Sequence, residues 1–427
     1  MEMRKFSLVQ TTCNDEENKS EERIFCQTLR RNGCGGWCRK FFWQGQIPNQ
    51  TQVEELKNLS DDLPLHRKLL LKYRRLIAFA IPALIVHFLW WATFIKWNMW
   101  HLFETGYPMS ITMIGGSIIA GMTSEGGGSV AFPVMTLVLN VNPTIARDFS
   151  LMIQSFGMTC AAFSIIFMQI QLEWYSIIFC SIGGIFGMIF GFHVVDAAMT
   201  GPQKKMYFVS IWFAFAFALF LLNWNYKRTT FKTIPNMNWW RIEVLVCTGF
   251  VGGICSAFSG NGLDVSSFCV LTLLFRVTEK VATPTSVVLM AIGTTFGFFW
   301  REVIMDKGPD MLAWDYLAVC IPVVVLGAPF GAVLGSHFHR LVLAAWVYAS
   351  DLVALLGGFI LVKQTPMLAG VSAGLIIVGF GFFIGITFIG RKLNEGVAEE
   401  SEQQVDHVDQ AKEAVSVVEV TPDNTDL

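Results

Sequence analysis

Long apolar runs without a charged residue recur along this 427-residue chain, and they constrain its fold more than any other feature. Such runs cover 77–95, 149–172, 174–195, 206–226, 281–300, 316–336 and 364–390, and 339–362 adds a run with Asp351 near its middle. A run of about 20 apolar residues can cross the hydrocarbon core as a helix, which satisfies its own backbone hydrogen bonds. We therefore predict an all-α polytopic membrane protein with about 8–10 apolar helical segments.

Both ends of the chain are polar. Only 15% of the residues are charged, against roughly 25% in soluble domains, and the deficit lies between about residues 76 and 390. We predict a flexible polar arm over 1–75, an extra first transmembrane helix over 76–98 and a disordered acidic tail over 391–427. The CGGWC spacing (34–38) is not a standard zinc spacing, so acylation or no role is favoured for these cysteines, and we expect no metal or cofactor.

Two regions, 110–140 and 244–275, do not read as simple transmembrane helices. Each contains two apolar pieces around a polar break that includes glycine, SEGGGS (124–129) in the first and SGNGLD (259–264) in the second. Short, interrupted apolar pieces are typical of broken or re-entrant helices, because irregular backbone survives in a membrane only inside protein or beside water. We predict a broken helical hairpin in each region.

The two regions are related by an internal duplication. At one constant separation along the chain Gly116 matches Gly252, Phe132 matches Phe268, and VMTL (134–137) matches VLTL (270–273). The register continues through several segments, which chance does not explain. We predict repeat 1 over 110–226, repeat 2 over 241–363, and a last transmembrane helix over 364–390.

The distribution of lysine and arginine predicts the orientation. If each broken region enters and leaves on one side, the basic linker 227–241 is cytosolic together with the basic end of the N-terminal arm. Each half then makes an odd number of crossings, so the repeats are inverted and both termini are cytosolic. A single crossing by each broken region would place the linker outside. Three glycosylation sequons argue mildly for an external N-terminus, at Asn18, Asn49 and Asn58.

The breaks are candidate anion sites. A half-helix that begins at Gly127 or Gly128 presents free N–H groups and the positive end of its dipole, and glycine lets a ligand approach the backbone. The alternative is a tight helix crossing built on small residues. The predicted substrate-binding residues are Gly126, Gly127, Gly128, Ser129, Asn261, Gly262, Ser150, Thr285 and Ser286.

Carboxylates inside the apolar runs are candidates for proton coupling. Glu125 and Asp264 lie at the breaks, and Asp351 lies within the run 339–362. The alternatives are N-terminal capping of the half-helices by Glu125 and Asp264, and a buried hydrogen bond by Asp351. Arg147 and Asp148 follow the first break; they could pair with each other, or Arg147 could attract an anion.

No enzymatic constellation is present in the sequence. It contains no G-x-S-x-G, H-E-x-x-H or P-loop motif, and its histidines are scattered. We therefore do not expect an enzyme, and the absence of a basic domain gives no reason to expect nucleic acid as a partner.

The glycines and hydroxyl residues around the breaks resemble the TauE/SafE family of sulfite and organosulfonate exporters. The resemblance rests on Gly126–Gly128, Pro133, the stretch 146–150, ATPTS (282–286), and LEW (172–174) ahead of spaced glycines. It covers about 110–362, both halves. The second break reads GNGLD instead of GGG, and Phe149 replaces a hydroxyl residue. The resemblance implies a membrane transporter of small oxidised-sulfur anions.

These observations together predict a multi-pass integral membrane protein that acts as a secondary transporter. The expected substrate is a small anion, sulfite or an organosulfonate, moved by alternating access with proton coupling as an option. The expected partners are this anion, protons, the lipid bilayer and, as a further option, other copies of the chain. The alternatives are a membrane scaffold or receptor that acts through its cytosolic tails, and an anion channel.

Overall fold

A computed structural model describes residues 73–123, 125–224, 230–335, 338 and 340–418. Most of the predicted N-terminal arm, with its cysteines and sequons, lies outside these residues, as do Ser124 and the linker residues Lys227 and Arg228. In the described part of the chain the structure is helical, and the remaining pairing is one isolated bridge between Phe231 and Val277. The predicted all-α class is confirmed.

The helices follow the apolar runs of the sequence. In chain order they are α1 Arg74–Trp97, α2 Leu102–Met122, α3 Gly128–Val138, α4 Pro143–Phe167, α5 Trp174–Ala198, α6 Gly201–Trp224, α7 Trp239–Ser259, α8 Leu263–Leu274, α9 Glu279–Ile304, α10 Met311–Gly335, α11 Arg340–Leu361 and α12 Pro366–Val418. Start signals are local: Asn142 Oδ1 accepts the Thr144 N–H at 3.0 Å, and Pro143 occupies the first position of α4.

Nine helices in the described residues are long and apolar enough to cross a membrane, within the predicted range of about 8–10. They are α1, α4, α5, α6, α7, α9, α10, α11 and the Pro366–Leu393 part of α12. Helices α3 and α8 are apolar but about half as long, as expected for the second arms of broken hairpins.

The order of long and short helices repeats. Helices α2 to α6 have the same succession of lengths as α7 to α11, with α1 before the first set and α12 after the second. The first set begins at Leu102, ahead of residue 110, and Gly106 in this added part packs on Val319 of α10. The domain boundaries derived from the sequence remain predictions.

Each half packs its first helix against the other half. Helix α2 lies parallel to α10, and α7 lies parallel to α5, through glycines that bring the backbones together. The contacts are matched: Gly331 of α10 lies on Ile118 of α2, and Gly191 of α5 lies on Ile254 of α7. Ile118 and Ile254 correspond to each other in the register of the duplication, so equivalent residues make equivalent contacts.

Helices α4 and α9, which occupy equivalent positions in the two halves, pack against each other in opposite directions. Asp148 near the start of α4 binds Arg301 near the end of α9. At the other end Thr285, near the start of α9, accepts the N–H of Glu173, which follows α4. Helix α10 packs on the α4 side of this antiparallel pair, and α5 packs on the α9 side.

Helix α12 continues beyond the predicted end of the last transmembrane helix at 390. The sequence predicts a disordered tail from 391, whereas the backbone is helical as far as Val418. Between 394 and 418 the chain contains several glutamate, glutamine and alanine residues, which favour helix, and no proline; the helix continues through Gly396.

Candidate functional site

The two breaks meet inside the bundle. The first turn connects Met122 of α2 to Gly128 of α3, and the second connects Ser259 of α7 to Leu263 of α8. The side-chain amide of Asn261 in the second turn donates a hydrogen bond to the backbone carbonyl of Glu125 in the first. Two segments from different halves of the chain therefore form one crossing.

Glycine is required at both turns. Gly126 and Gly260 have φ values of 72° and 82°, in the left-handed region that side chains with a Cβ rarely adopt. A Cβ on Gly126 would also lie 2.5 Å from Gln154 Oε1 and from Met290 Sδ. The backbone of the first turn is thus pressed against α4 and α9 near their midpoints, so the crossing lies at mid-depth of the spanning helices.

Gln154 joins α4 to the second turn. Its Nε2 donates to the carbonyl of Ser150 at 2.9 Å and to the carbonyl of Gly260 at 3.0 Å. Its Oε1 faces the first turn at Gly126. The binding residues predicted from the sequence did not include Gln154. The signal was an amide at mid-helix in an apolar run, one turn after Ser150.

Three carboxyl groups are buried at the crossing. Those of Glu125 and Asp351 face each other, and Glu125 also interacts with Asp264. Asp264 Oδ1 accepts the N–H of Gly262 at 3.1 Å. Asp264 lies in the first turn of α8, whose N-cap is Gly262, so it does not cap the helix in the way that the sequence alternative proposed. None of the three forms an ion pair with a described residue.

Several buried side-chain oxygens at the crossing have no hydrogen-bond donor among the described residues. They are both carboxylate oxygens of Glu125, Oδ2 of Asp264, Oδ2 of Asp351, Oδ1 of Asn261, Oε1 of Gln154 and the hydroxyl of Ser150. Buried polar atoms are almost always hydrogen-bonded, so an unpartnered group of this size indicates that the crossing holds something besides protein.

A network of ion pairs closes one end of the bundle around Asp148 and Asp196. Arg147 binds Asp148 at 2.7 Å and Asp196 at 2.6 Å, Lys204 binds Asp196 at 2.6 Å, and Arg301 binds Asp148 at 2.8 Å. The pairing of Arg147 with Asp148, one of the two sequence alternatives, is present. The rest of the network connects residues far apart in the chain, which no local sequence signal predicts.

The helical core can now be compared with known families. The family described as Sulfite exporter TauE/SafE matches residues 109–360, more than half of the chain. The chain belongs to the TauE/SafE family. No curated protein and no solved structure matches it. Together with the apolar helices, this membership makes the chain a multi-pass integral membrane protein of a transporter family, and the resemblance stated from the sequence is confirmed.

Within this TauE/SafE chain, most of the predicted binding residues lie at the crossing. Gly126, Gly127 and Gly128 form or adjoin the first turn, and Asn261 and Gly262 form the second. The Cβ of Ser150 lies against Gly260.

The remaining predicted hydroxyl residues bond within their own segments. Ser129 donates to the Gly126 carbonyl at 2.8 Å, and Ser286 donates to the Thr283 carbonyl at 2.8 Å. Thr285 lies away from the turns, because it donates to the Val281 carbonyl at 2.6 Å and accepts the N–H of Glu173 at 3.0 Å. The structure therefore does not bring Thr285 together with the crossing.

Glu173 connects the two halves at the end opposite to the ion-pair network. Its Oε2 accepts the N–H of Ile234 in the linker between the halves at 3.0 Å. Burial raises the pKa of Glu173 above 4.5, and the backbone hydrogen bonds that it accepts oppose that rise. This residue belongs to the LEW motif, and it fastens the linker to the start of α9.

Proposed function

We propose that this chain is a secondary transporter of small anions, with sulfite or organosulfonates as substrates, working by alternating access. The observation that carries the proposal is the crossing of the two turns at mid-depth of a TauE/SafE core, where Asn261 of one half binds Glu125 of the other. Broken helices that meet near the midplane are a common arrangement for substrate sites in secondary transporters.

The anion would be held by backbone N–H groups at the start of the half-helices. Helices α3 and α8 begin at the two turns, so their positive ends point into the crossing. The first N–H groups of a helix have no partner inside the helix, and glycine at 126–128 leaves the backbone open to a ligand. Ser150 would add a hydroxyl donor, because its Oγ has no partner among the described residues.

Inverted repeats are part of the proposal. Two observations support them: the equivalent helices α4 and α9 run antiparallel, and equivalent residues make the matched contacts Gly331 with Ile118 and Gly191 with Ile254. Inverted halves can exchange conformations, which moves the opening from one side to the other around a fixed central site. Coupling to a cation would be served by the carboxyl groups of the crossing.

Flux of labelled sulfite or of a sulfonate in proteoliposomes tests the proposal. We expect flux from the wild-type protein and a loss of tenfold or more in Gly127→Leu. A Cβ on Gly127 would lie 3.4 Å from the Met113 methyl group and 3.6 Å from the Ala120 Cβ. A Cβ alone therefore fits, whereas the rest of a leucine side chain would be forced into the crossing.

The matched control is Gly115→Leu. Gly115 lies on α2, the helix that leads into the first turn, with nothing within 4 Å of the position of its Cβ. This variant should retain flux. Unchanged flux in Gly127→Leu would reject the binding site, and no sulfite or sulfonate flux in the wild type would reject the substrate class.

A further inference from the structure

The unpartnered atoms at the crossing are nearly all acceptors. They comprise carboxylate oxygens of Glu125, Asp264 and Asp351, and the amide oxygens of Asn261 and Gln154. The Ser150 hydroxyl is the one group among them that can also donate. These acceptor oxygens repel an anion. Their binding partner must therefore differ from the anion that we propose for the half-helix N–H groups.

The two amide groups are fixed with their oxygens free. Asn261 Nδ2 donates to the Glu125 carbonyl, and Gln154 Nε2 donates to the carbonyls of Ser150 and Gly260. Because these acceptors are carbonyl oxygens, an amide flip would place oxygen against oxygen, and the assignment of nitrogen and oxygen is settled. Both side chains are 1% exposed, so bulk water does not supply the missing donors.

The carboxyl groups add a charge requirement. Glu125 interacts with Asp351 and Asp264, and among the described residues no lysine, arginine or histidine forms an ion pair with any of them. Arg147 comes near the second turn through its bond to the Ala257 carbonyl, but Asp148 and Asp196 neutralise it. Carboxylates buried together without a cation carry a large desolvation penalty.

A metal cation can bind the free amide oxygens and also neutralise the carboxylates, whereas a proton can only neutralise a carboxylate. A proton can neutralise a carboxylate or let Glu125 share a hydrogen bond with Asp351, but it leaves the amide oxygens of Asn261 and Gln154 without a partner. Hard cations accept carboxylate, amide and hydroxyl oxygens together. In the described part of the chain no three His, Cys, Asp or Glu side chains are placed to hold a metal ion, so a cation here needs the amide oxygens as ligands, and such all-oxygen ligands suit a hard cation.

We propose that the crossing of the two turns holds a monovalent alkali cation of the Na⁺ class. Its ligands are oxygens of Glu125, Asp351, Asn261 and Gln154, with Asp264 adding negative charge from the second turn. The site rests on the geometry of the crossing. Its role as the coupling ion rests on the proposed anion transport, since the cation lies beside the half-helix ends and offsets the charge of the anion.

The repeat shows that there is one such site per chain. In the register that relates Gly116 to Gly252, Glu125 corresponds to Asn261 and Asp264 corresponds to Gly128. After a small insertion in the second half the matching continues with Gly191 and Gly331, and in this shifted register Asp351 corresponds to Ile211. The carboxyl groups therefore have no carboxyl counterparts in the other half. A single cation site gives a physical reason why the second break reads GNGLD while the first contains GGG.

Thermal unfolding of the purified full-length protein tests the site with the metal ion alone. The midpoint is measured in NaCl, KCl and choline chloride at constant chloride concentration and constant pH. We expect NaCl to raise the midpoint by a few °C over choline, with saturation, because an ion that binds only the folded state stabilises it. Equal midpoints in NaCl and choline chloride for the wild type would overturn the proposal.

Variants locate the effect. Glu125→Gln and Asp351→Asn should abolish the Na⁺-dependent shift, whereas Glu243→Gln, the same substitution on an exposed face of α7, should keep it. A full Na⁺ shift in both crossing variants would exclude the crossing as the site. If either variant fails to fold, the comparison of NaCl with choline chloride in the wild type still tests whether the protein binds Na⁺.

Flux separates the cation site from the proposed function. In proteoliposomes an inward and an outward Na⁺ gradient should change the initial rate of sulfite flux at least tenfold at equal pH. Flux that follows a pH gradient and ignores Na⁺ would overturn the coupling role in favour of protons. A Na⁺ shift in thermal unfolding without any anion flux would reject transport of that anion and leave the site in place.

Discussion

At the scale of single residues, the crossing depends on a few polar side chains and on glycines. Gly126 and Gly260 allow the chain to reverse with positive φ, and Asn261 and Gln154 fasten the turns to each other and to α4. These interactions are short-range and buried, so single substitutions at them should be costly. The glycines and the amides are therefore the residues on which we expect mutation to act most strongly.

Substitution of Gly126 by alanine should destabilise the fold. The left-handed conformation costs an alanine about 1–2 kcal/mol, and its Cβ would lie 2.5 Å from Gln154 Oε1 and from Met290 Sδ. We expect a thermal unfolding midpoint lower by several °C. Gly370→Ala on α12, where nothing lies within 4 Å, should leave the midpoint unchanged or higher, since alanine favours helix. Equal midpoints for the two variants would contradict the placement of Gly126.

At the scale of elements, the two halves are joined at both ends of the antiparallel pair α4 and α9. The ion-pair network that includes Asp148 and Arg301 joins them at one end, and the hydrogen bonds of Glu173 join them at the other. If alternating access moves one half against the other, these connections must break in turn. They are therefore the elements where coupling between the halves is best measured.

Asp148 and Arg301 should show strong coupling. Arg301 donates through Nε at 3.0 Å and through Nη2 at 2.8 Å to the two oxygens of Asp148, a bidentate geometry that is buried. In a double-mutant cycle with Asp148→Asn and Arg301→Gln, we expect a coupling energy of about 1–3 kcal/mol in thermal or denaturant unfolding. The exposed Lys307→Gln should show none with Asp148→Asn. Additive effects at Asp148 and Arg301 would contradict this geometry.

Glu173 should make stability depend on pH in the direction opposite to a surface ion pair. Its pKa is raised in the folded state, so the folded state binds more protons, and stability falls as the pH rises from about 4.5 through the folded pKa. Glu173→Gln keeps an acceptor for the Ile234 N–H and removes the charge. We expect this variant to flatten the fall in unfolding midpoint between pH 4.5 and neutrality. A fall as steep as in the wild type would show that other groups cause it.

At the scale of the whole molecule, the contacts that join the two halves lie at two opposite ends of the bundle. Arg301, Asp196 and Lys204 lie together at one end, and Glu173 and Ile234 lie together at the other. The hairpin topology derived from lysine and arginine is still a prediction. Which end faces the cytosol remains a prediction, with both termini on the cytosolic side.

Labelling with a membrane-impermeant thiol reagent checks this orientation. In a cysteine-free background, Lys307→Cys at the network end should be labelled from outside, whereas Thr233→Cys in the linker should be labelled only after permeabilisation. Both positions are exposed. The sequons at Asn18, Asn49 and Asn58 should stay unglycosylated, and glycosylation at any of them would reverse the predicted orientation.

Much of the architecture follows from local sequence. The length of the apolar runs and their lack of charged residues determine the spanning helices, because in lipid each segment must hydrogen-bond its own backbone groups. The constant register of the duplication determines the matched order of α2–α6 and α7–α11, and the glycine motifs place the chain in the TauE/SafE family. Each spanning helix is encoded within a window of about 20 residues, whereas the duplication and the family match extend over both halves.

Tertiary structure alone decided what lies at the crossing. Asn261 in the second turn and Asp351 in α11 meet Glu125, and Gln154 in α4 meets Gly260, although long stretches of chain separate them. The sequence showed polar residues in apolar runs, but it could not show that Thr285 would bond Glu173 while Gln154 would face Gly126. Such contacts depend on which helix faces pack together, and in a membrane those faces are selected by close approach at glycines spread over both halves.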